Sequence, residues 1–185
     1  MEDLRLENKD FSTKPLEKAT YDNCTFTGCN FTNSDLSKNK FESCVFENCD
    51  LSMADLTNSS LKEVQFKNCK LLGVNFYLCH EFLLAVSFGN CQLNLASFQG
   101  LPLSNTNFNN CNLKEVDFTK TNLSKAIFGG CDMSGAIFEN TNLEGADFRN
   151  AFNYRIDPQV NRIRKARFSE SGLAGLLGGF DIVVE

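Results

Sequence analysis

The sequence predicts an all-β solenoid, a stack of roughly square coils built from five-residue units, and three features of its 185 residues predict it. The first is a large apolar residue at every fifth position from Phe88 to Phe148: Phe88, Leu93, Phe98, Leu103, Phe108, Leu113, Phe118, Leu123, Phe128, Met133, Phe138, Leu143 and Phe148. The second is a small residue two places earlier in most units, such as Cys91, Ala96, Cys111, Thr121 and Ala146, among otherwise polar neighbours. The third is a longer period. Phe26, Phe46 and Phe66 are twenty apart, and so are Phe88, Phe108, Phe128, Phe148 and Phe168.

A period of five suits neither a 3.6-residue helix nor an uninterrupted strand. It suits a short extended piece followed by a corner. Residues two apart share one face of a strand, so the small and large residues of a unit both point inward and the polar remainder turns the chain. Twenty residues are four units, hence four sides per coil, and coils must stack on one another to bury their faces.

Residues 1–10 precede the regular register and read as a strand or cap over the first coil, with Leu4 and Leu6 alternating as a strand requires. From 11 to 168 the five-residue register runs with few departures. Lys9 and Lys14 occupy small-residue slots, and Pro15 suits a rim position because it lacks an N–H to donate. The step from Phe66 to Phe88, and from Cys69 to Cys91, is twenty-two, so two extra residues bulge out within 77–87. That break contains His80, the only histidine, with Glu81, Phe82, Leu83 and Leu84. Two readings stand for it: the apolar trio fills the core around an irregular corner, or it projects toward a partner from a rigid scaffold.

After Phe148 the pattern weakens at Asn153 and Pro158 and returns at Ile163 and Phe168. Residues 169–185 differ in character. Ser169 is placed to N-cap a short helix from about Glu170, and Gly178-Gly179 to end it. Leu173, Leu176 and Leu177 share one side of that helix, and Phe180, Ile182, Val183 and Val184 form an apolar tail. Such a terminus either folds back over the last coil or pairs two copies.

Units such as Ala54-Asp55-Leu56-Thr57-Asn58 and Ala146-Asp147-Phe148-Arg149-Asn150 resemble the pattern of pentapeptide-repeat proteins: small residue, polar residue, Leu or Phe, two polar residues. The resemblance covers about nine tenths of the chain and implies a right-handed quadrilateral β-helix, the handedness being the family's. The segment Tyr21-Asp22-Asn23-Cys24-Thr25-Phe26, the single break and the C-terminal helix are similar to the quinolone-resistance and peptide-toxin immunity branch. That branch implies a rod-shaped homodimer joined at its C-terminus, here through Leu173, Leu176, Leu177, Phe180, Ile182 and Val184. It also implies binding to DNA gyrase or topoisomerase IV by DNA mimicry, an acidic rod standing in for duplex. The outward residues expected to carry it are Asp117, Asp132, Glu139, Glu144 and Asp147, with His80, Glu81 and Phe82 at the break. Where relatives often carry longer projecting loops, only two residues are inserted here.

Composition bounds the alternatives. All nine cysteines fall at the small inward position, which makes them reduced core thiols rather than disulfides or metal ligands. Parallel Cβ atoms on coils about 4.8 Å apart lie slightly beyond the roughly 3.5–4.5 Å that a disulfide prefers. The net charge of −5 argues against nucleic-acid binding through a basic patch. No apolar run approaches the roughly 20 residues that span a bilayer, and Met1-Glu2-Asp3-Leu4-Arg5 does not open a signal peptide, so the cytoplasm is expected. No phosphate-binding glycine loop or Ser/His/Asp order is present, and no cofactor is expected. The competing functional class is a scaffold or interaction module with no topoisomerase partner, its outer charges serving solubility and blocking edge pairing.

Overall fold

The computed structural model describes residues 1–180 and Ile182, and it is a parallel β-solenoid. Short strands β1 (Arg5–Glu7), β2 (Thr20–Asp22), β3 (Thr25–Thr27), β4 (Lys40–Glu42), β5 (Val45–Glu47), β6 (Ser60–Lys62), β7 (Val64–Lys67), β8 (Val86–Gly89), β9 (Asn107–Asn109) and β10 (Ile127–Gly129) sort into two sheets. One face carries seven strands in the order β1-β3-β5-β7-β8-β9-β10, and the adjoining face carries β2-β4-β6. We call them the long-sheet and short-sheet faces. Every strand pair is parallel, because each strand meets the same unit of the next coil. The other two faces are held by isolated bridges, for example Asp10 to Asn30 to Asp50 on one and Ser97 to Asp117 to Ile137 on the other.

Corners turn through a left-handed residue two places after the inward apolar one. Asn23, Asn33, Asn48, Asn58, Asn68, Asn90, Asn105, Asn110 and Asn140 hold φ near +50 to +60°, a region asparagine tolerates better than most residues. The outward Asp or Asn before the apolar residue tightens the same corner. Asp35, Asp55, Asn122 and Asn142 each accept the backbone N–H two residues on, at 2.9–3.2 Å. Polar repeat positions are therefore structural as well as soluble.

Inside, the phenylalanines form files along the rod. Phe26, Phe46, Phe66, Phe88, Phe108, Phe128, Phe148 and Phe168 stack at centroid spacings of 4.7–5.3 Å with nearly parallel rings. A second file, Phe76, Phe98, Phe118 and Phe138, meets it edge-on, as Phe98 does Phe108 at 5.8 Å and 82°. Offset-stacked and edge-to-face geometries both suit the ring quadrupole.

All nine cysteines are free and buried. In one file Cys29, Cys49, Cys69, Cys91, Cys111 and Cys131 each direct Sγ to a backbone carbonyl of the preceding coil, for instance Cys69 to Phe46 at 3.3 Å and Cys131 to Phe108 at 3.3 Å. Thr121 and Thr141 make the corresponding bond from Oγ1 to Phe98 and Phe118. Burial pushes the Cys44 and Cys79 thiols up to about 11, which keeps them protonated and inert.

Candidate interaction surface

The break in the register is located by hydrogen bonds. His80 N still donates to Ser59 O at 2.8 Å, continuing the twenty-residue step, whereas Val64 already pairs with Val86, twenty-two residues on. The two extra residues therefore fall between His80 and Val86, on the short-sheet face. There Leu84 N donates to Glu81 O at 3.2 Å, closing a tight turn with Leu83 in the left-handed region at φ 58°.

Both readings of the apolar trio are realised, each by different residues. Leu84 packs against the core, while Phe82 is 80% exposed and Leu83 56% exposed. Tyr77 and Leu78 on the preceding corner are exposed as well. A large aromatic left in water forgoes burial worth about 1.5–3 kcal/mol, so Phe82 adds little to the stability of the fold and is available to a partner. His80 and Glu81 are exposed beside it.

The five acidic residues named from the sequence do not share a surface. Asp117 and Glu139 lie on the Phe118/Phe138 face, Asp132 on the Asp10 face, Glu144 on the short-sheet face and Asp147 on the long-sheet face. Three are engaged locally. Asp117, Asp132 and Asp147 accept the corner N–H of Thr119, Ser134 and Arg149 at 2.8, 3.2 and 3.1 Å. Asp132 also pairs with Lys114 at 3.1 Å and Asp147 with Arg149 at 2.6 Å. Burial works to raise the Asp132 carboxyl, but hydrogen bonds from Asn153 and Ser134 and the Lys114 ammonium outweigh it and hold it at about 2. The Arg149 guanidinium lowers Asp147 against a smaller opposing effect of burial.

At the C-terminus, Glu170–Leu176 is a 3₁₀ helix folded over the last coil. Ser169 has the extended backbone of an N-cap but makes no side-chain capping bond; its Oγ lies 3.2 Å from Ser171 Oγ. Three residues per turn align Gly172 and Gly175 on one side, where a Cβ would run into the Tyr154 ring or backbone. Ile156 N donates to Gly175 O at 2.9 Å, and Leu176 packs on the core. Leu173, Phe180 and Ile182 face outward and Leu177 is partly covered, while Val184 lies outside the described residues. The tail thus caps the rod and still leaves apolar surface.

Sequence reasoning from total charge missed a basic end. Residues 149–167 contain Arg149, Arg155, Arg162, Arg164, Lys165 and Arg167 against one carboxylate, Asp157. All six are exposed, and among the described residues only Arg149 is in an ion pair. The run Arg162-Ile163-Arg164-Lys165 was visible in the sequence; a net charge averaged over the chain concealed it.

A model of the pentapeptide repeat region matches residues 19–98, 80–148 and 101–176, which together span most of the chain. The chain belongs to the pentapeptide-repeat family. Among solved structures, this pentapeptide-repeat chain is similar to a trypsin-treated form of QnrB1, a plasmid-mediated fluoroquinolone resistance protein, at 21% identity and TM-score 0.60, over 100% of this chain and 99% of that one. It is also similar to HetL, a pentapeptide repeat protein involved in heterocyst differentiation regulation in the cyanobacterium Nostoc sp. strain PCC 7120. That likeness has 16% identity and TM-score 0.58, over 92% of this chain and 85% of HetL. At these identities the likeness is one of fold. No curated protein matches the sequence. Among the described residues, no helix is long and apolar enough to cross a membrane.

Proposed function

We propose that this pentapeptide-repeat protein is a non-catalytic interaction rod that presents the Glu81–Leu84 turn to a protein partner. We propose DNA gyrase or topoisomerase IV as the first partner to test. One observation carries the reading: Phe82 is 80% exposed on a tight turn anchored by buried coils. A rigid base lets an aromatic anchor bind with little loss of conformational freedom. The resemblance of the sequence to the quinolone-resistance branch suggests the candidate partner, and the fold shared with QnrB1, a fluoroquinolone resistance protein, suggests fluoroquinolone protection as the outcome to look for.

The distribution of the acids favours a second reading for part of this. Asp117, Asp132, Glu144 and Asp147 are spread over four faces, and the C-terminal coil is basic, so these carboxylates do not form one acidic stripe that would imitate duplex. An interaction module that grips its partner by the turn, with or without a topoisomerase, needs no such stripe.

The test is gyrase supercoiling across a protein concentration series, with and without a fluoroquinolone. Rescue that disappears in Phe82→Ser, with unchanged circular dichroism, supports the topoisomerase reading. Absence of both rescue and inhibition removes gyrase as partner. Rescue that persists in Phe82→Ser and disappears when Asp117 and Glu139 become Asn and Gln returns the weight to acidic mimicry.

A further inference from the structure

We infer that the short-sheet face is self-complementary and pairs two copies of this chain side by side and antiparallel. Along this face Glu2 bridges Asp22, Asp22 pairs with Glu42 and Glu42 with Lys62, and beside them a second outward row runs Thr20, Lys40 and Ser60. Beyond the Phe82-Leu83 turn, the bridges Pro102 to Asn122 to Asn142 to Arg162 continue the face, carrying Ser104, Ser124, Glu144 and Arg164 two residues on. Four coils precede the turn and four follow it, so the exposed apolar turn lies at the midpoint. One end of the face is acidic on balance, with Glu2, Asp3 and Asp22 around the N-terminal ammonium, which donates to Thr20 O at 2.8 Å. The other is basic, with Arg162, Arg164 and Lys165, none of them ion-paired among the described residues.

A two-fold axis through the turn brings these features together. It sets Phe82 and Leu83 against their own copies and covers them. It sets Glu2 and Asp3 opposite the partner copy's basic end, twice, and sets Glu42, already paired with Lys62 of its own chain at 3.4 Å, opposite Lys125. Asp22 then approaches Glu144, and Lys40 lies in the row that meets Lys125, so the middle of the face contains like-charge approaches while its two poles are opposite in sign. An isologous contact requires a surface complementary to itself under rotation, and a face with an apolar centre and opposite poles meets that requirement.

The other occupants explain less. Nucleic-acid phosphates would use the arginines, but the acidic coils would repel them and the turn would stay bare. Tail-to-tail pairing through Leu173 and Ile182 would bring the two basic ends together. The side-by-side pair also covers the turn assigned above to a partner, so self-pairing and partner binding exclude each other.

Sedimentation velocity on the full chain, over a concentration series, tests the inference. At about 50 mM NaCl a concentration-dependent dimer is expected, and its dissociation constant should rise about tenfold or more at about 500 mM, where the screening length shrinks. Arg162→Glu with Arg164→Glu should be monomeric, and adding Glu2→Arg and Asp3→Arg to the same chain should restore the dimer. These end variants leave Phe82 intact, so their effect is separable from any loss of gyrase binding. The inference is overturned by a monomer at every concentration in low salt, or by a dimer indifferent to the arginine reversal. A dimer abolished by Leu173→Glu with Ile182→Glu and kept in the arginine variant would assign the contact to the tails.

Discussion

The long-sheet and short-sheet faces are built from the same repeat and differ in one respect. The long-sheet face keeps an unbroken phenylalanine file from Phe26 to Phe168, and the two extra residues leave no mark on it beyond a change in sequence offset. The short-sheet face absorbs the insertion, loses its ladder after β6 and exposes Phe82. The lesson concerns division of labour in a solenoid: one face carries continuity and the adjoining one carries variation, because each coil needs stacking on some faces and not on all.

The largest expected effect breaks continuity. Phe108→Ala removes a ring stacked between Phe88 and Phe128 and is expected to cost about 3–5 kcal/mol of stability in denaturant unfolding. A loss below about 1 kcal/mol would mean the file is not the principal support.

Next comes the end of the rod. Gly175→Ala forces a methyl group into the Tyr154 backbone and is expected to lift the 3₁₀ helix at a cost of about 1–3 kcal/mol. Faster amide exchange confined to residues 154–176 is the signature, and unchanged exchange would show that the cap does not depend on this contact.

Acid should have a smaller effect. Asp132 has its folded value at about 2, below the ordinary 3.8, so its stabilisation is present above about pH 4 and lost as pH falls toward 2. The thermal midpoint should decline across that window, and Asp132→Asn should flatten part of the decline. An identical profile in the variant would assign the acid sensitivity to other carboxylates.

Smaller again is Cys111→Ser, because Thr121 and Thr141 already make the same hydroxyl-to-carbonyl bond. The expected loss is below about 1.5 kcal/mol, and a larger one would mean the cysteine file packs in a way a hydroxyl cannot replace. The smallest effect on stability sharpens the comparison most. Deleting Phe82 and Leu83 restores a twenty-residue step and should leave the melting temperature unchanged or raised, while abolishing partner binding and self-pairing. A large loss of stability would place the turn in the supporting structure.

The sequence determined the coil, its four sides and its inward residues, because a period of five sustained over long runs admits few backbone paths and nearly every inward slot holds an apolar or small residue, Asn39 and Asn161 being buried exceptions. It also located the break, since the arithmetic of Phe66 and Phe88 allows no other account. It did not decide which residues of Phe82-Leu83-Leu84 turn outward, because three adjacent apolar residues have no periodicity to sort them. The glycine spacing at 172 and 175 held a legible signal for a three-per-turn helix, yet that signal gains meaning only when Tyr154 of the last coil lies against it. Only the tertiary structure distributed Asp117, Asp132, Glu144 and Asp147 over four faces and gathered Arg162, Arg164 and Lys165 at one end. Five-residue spacing rotates each unit by a quarter turn, so neighbours in sequence become strangers in space and residues twenty apart become neighbours.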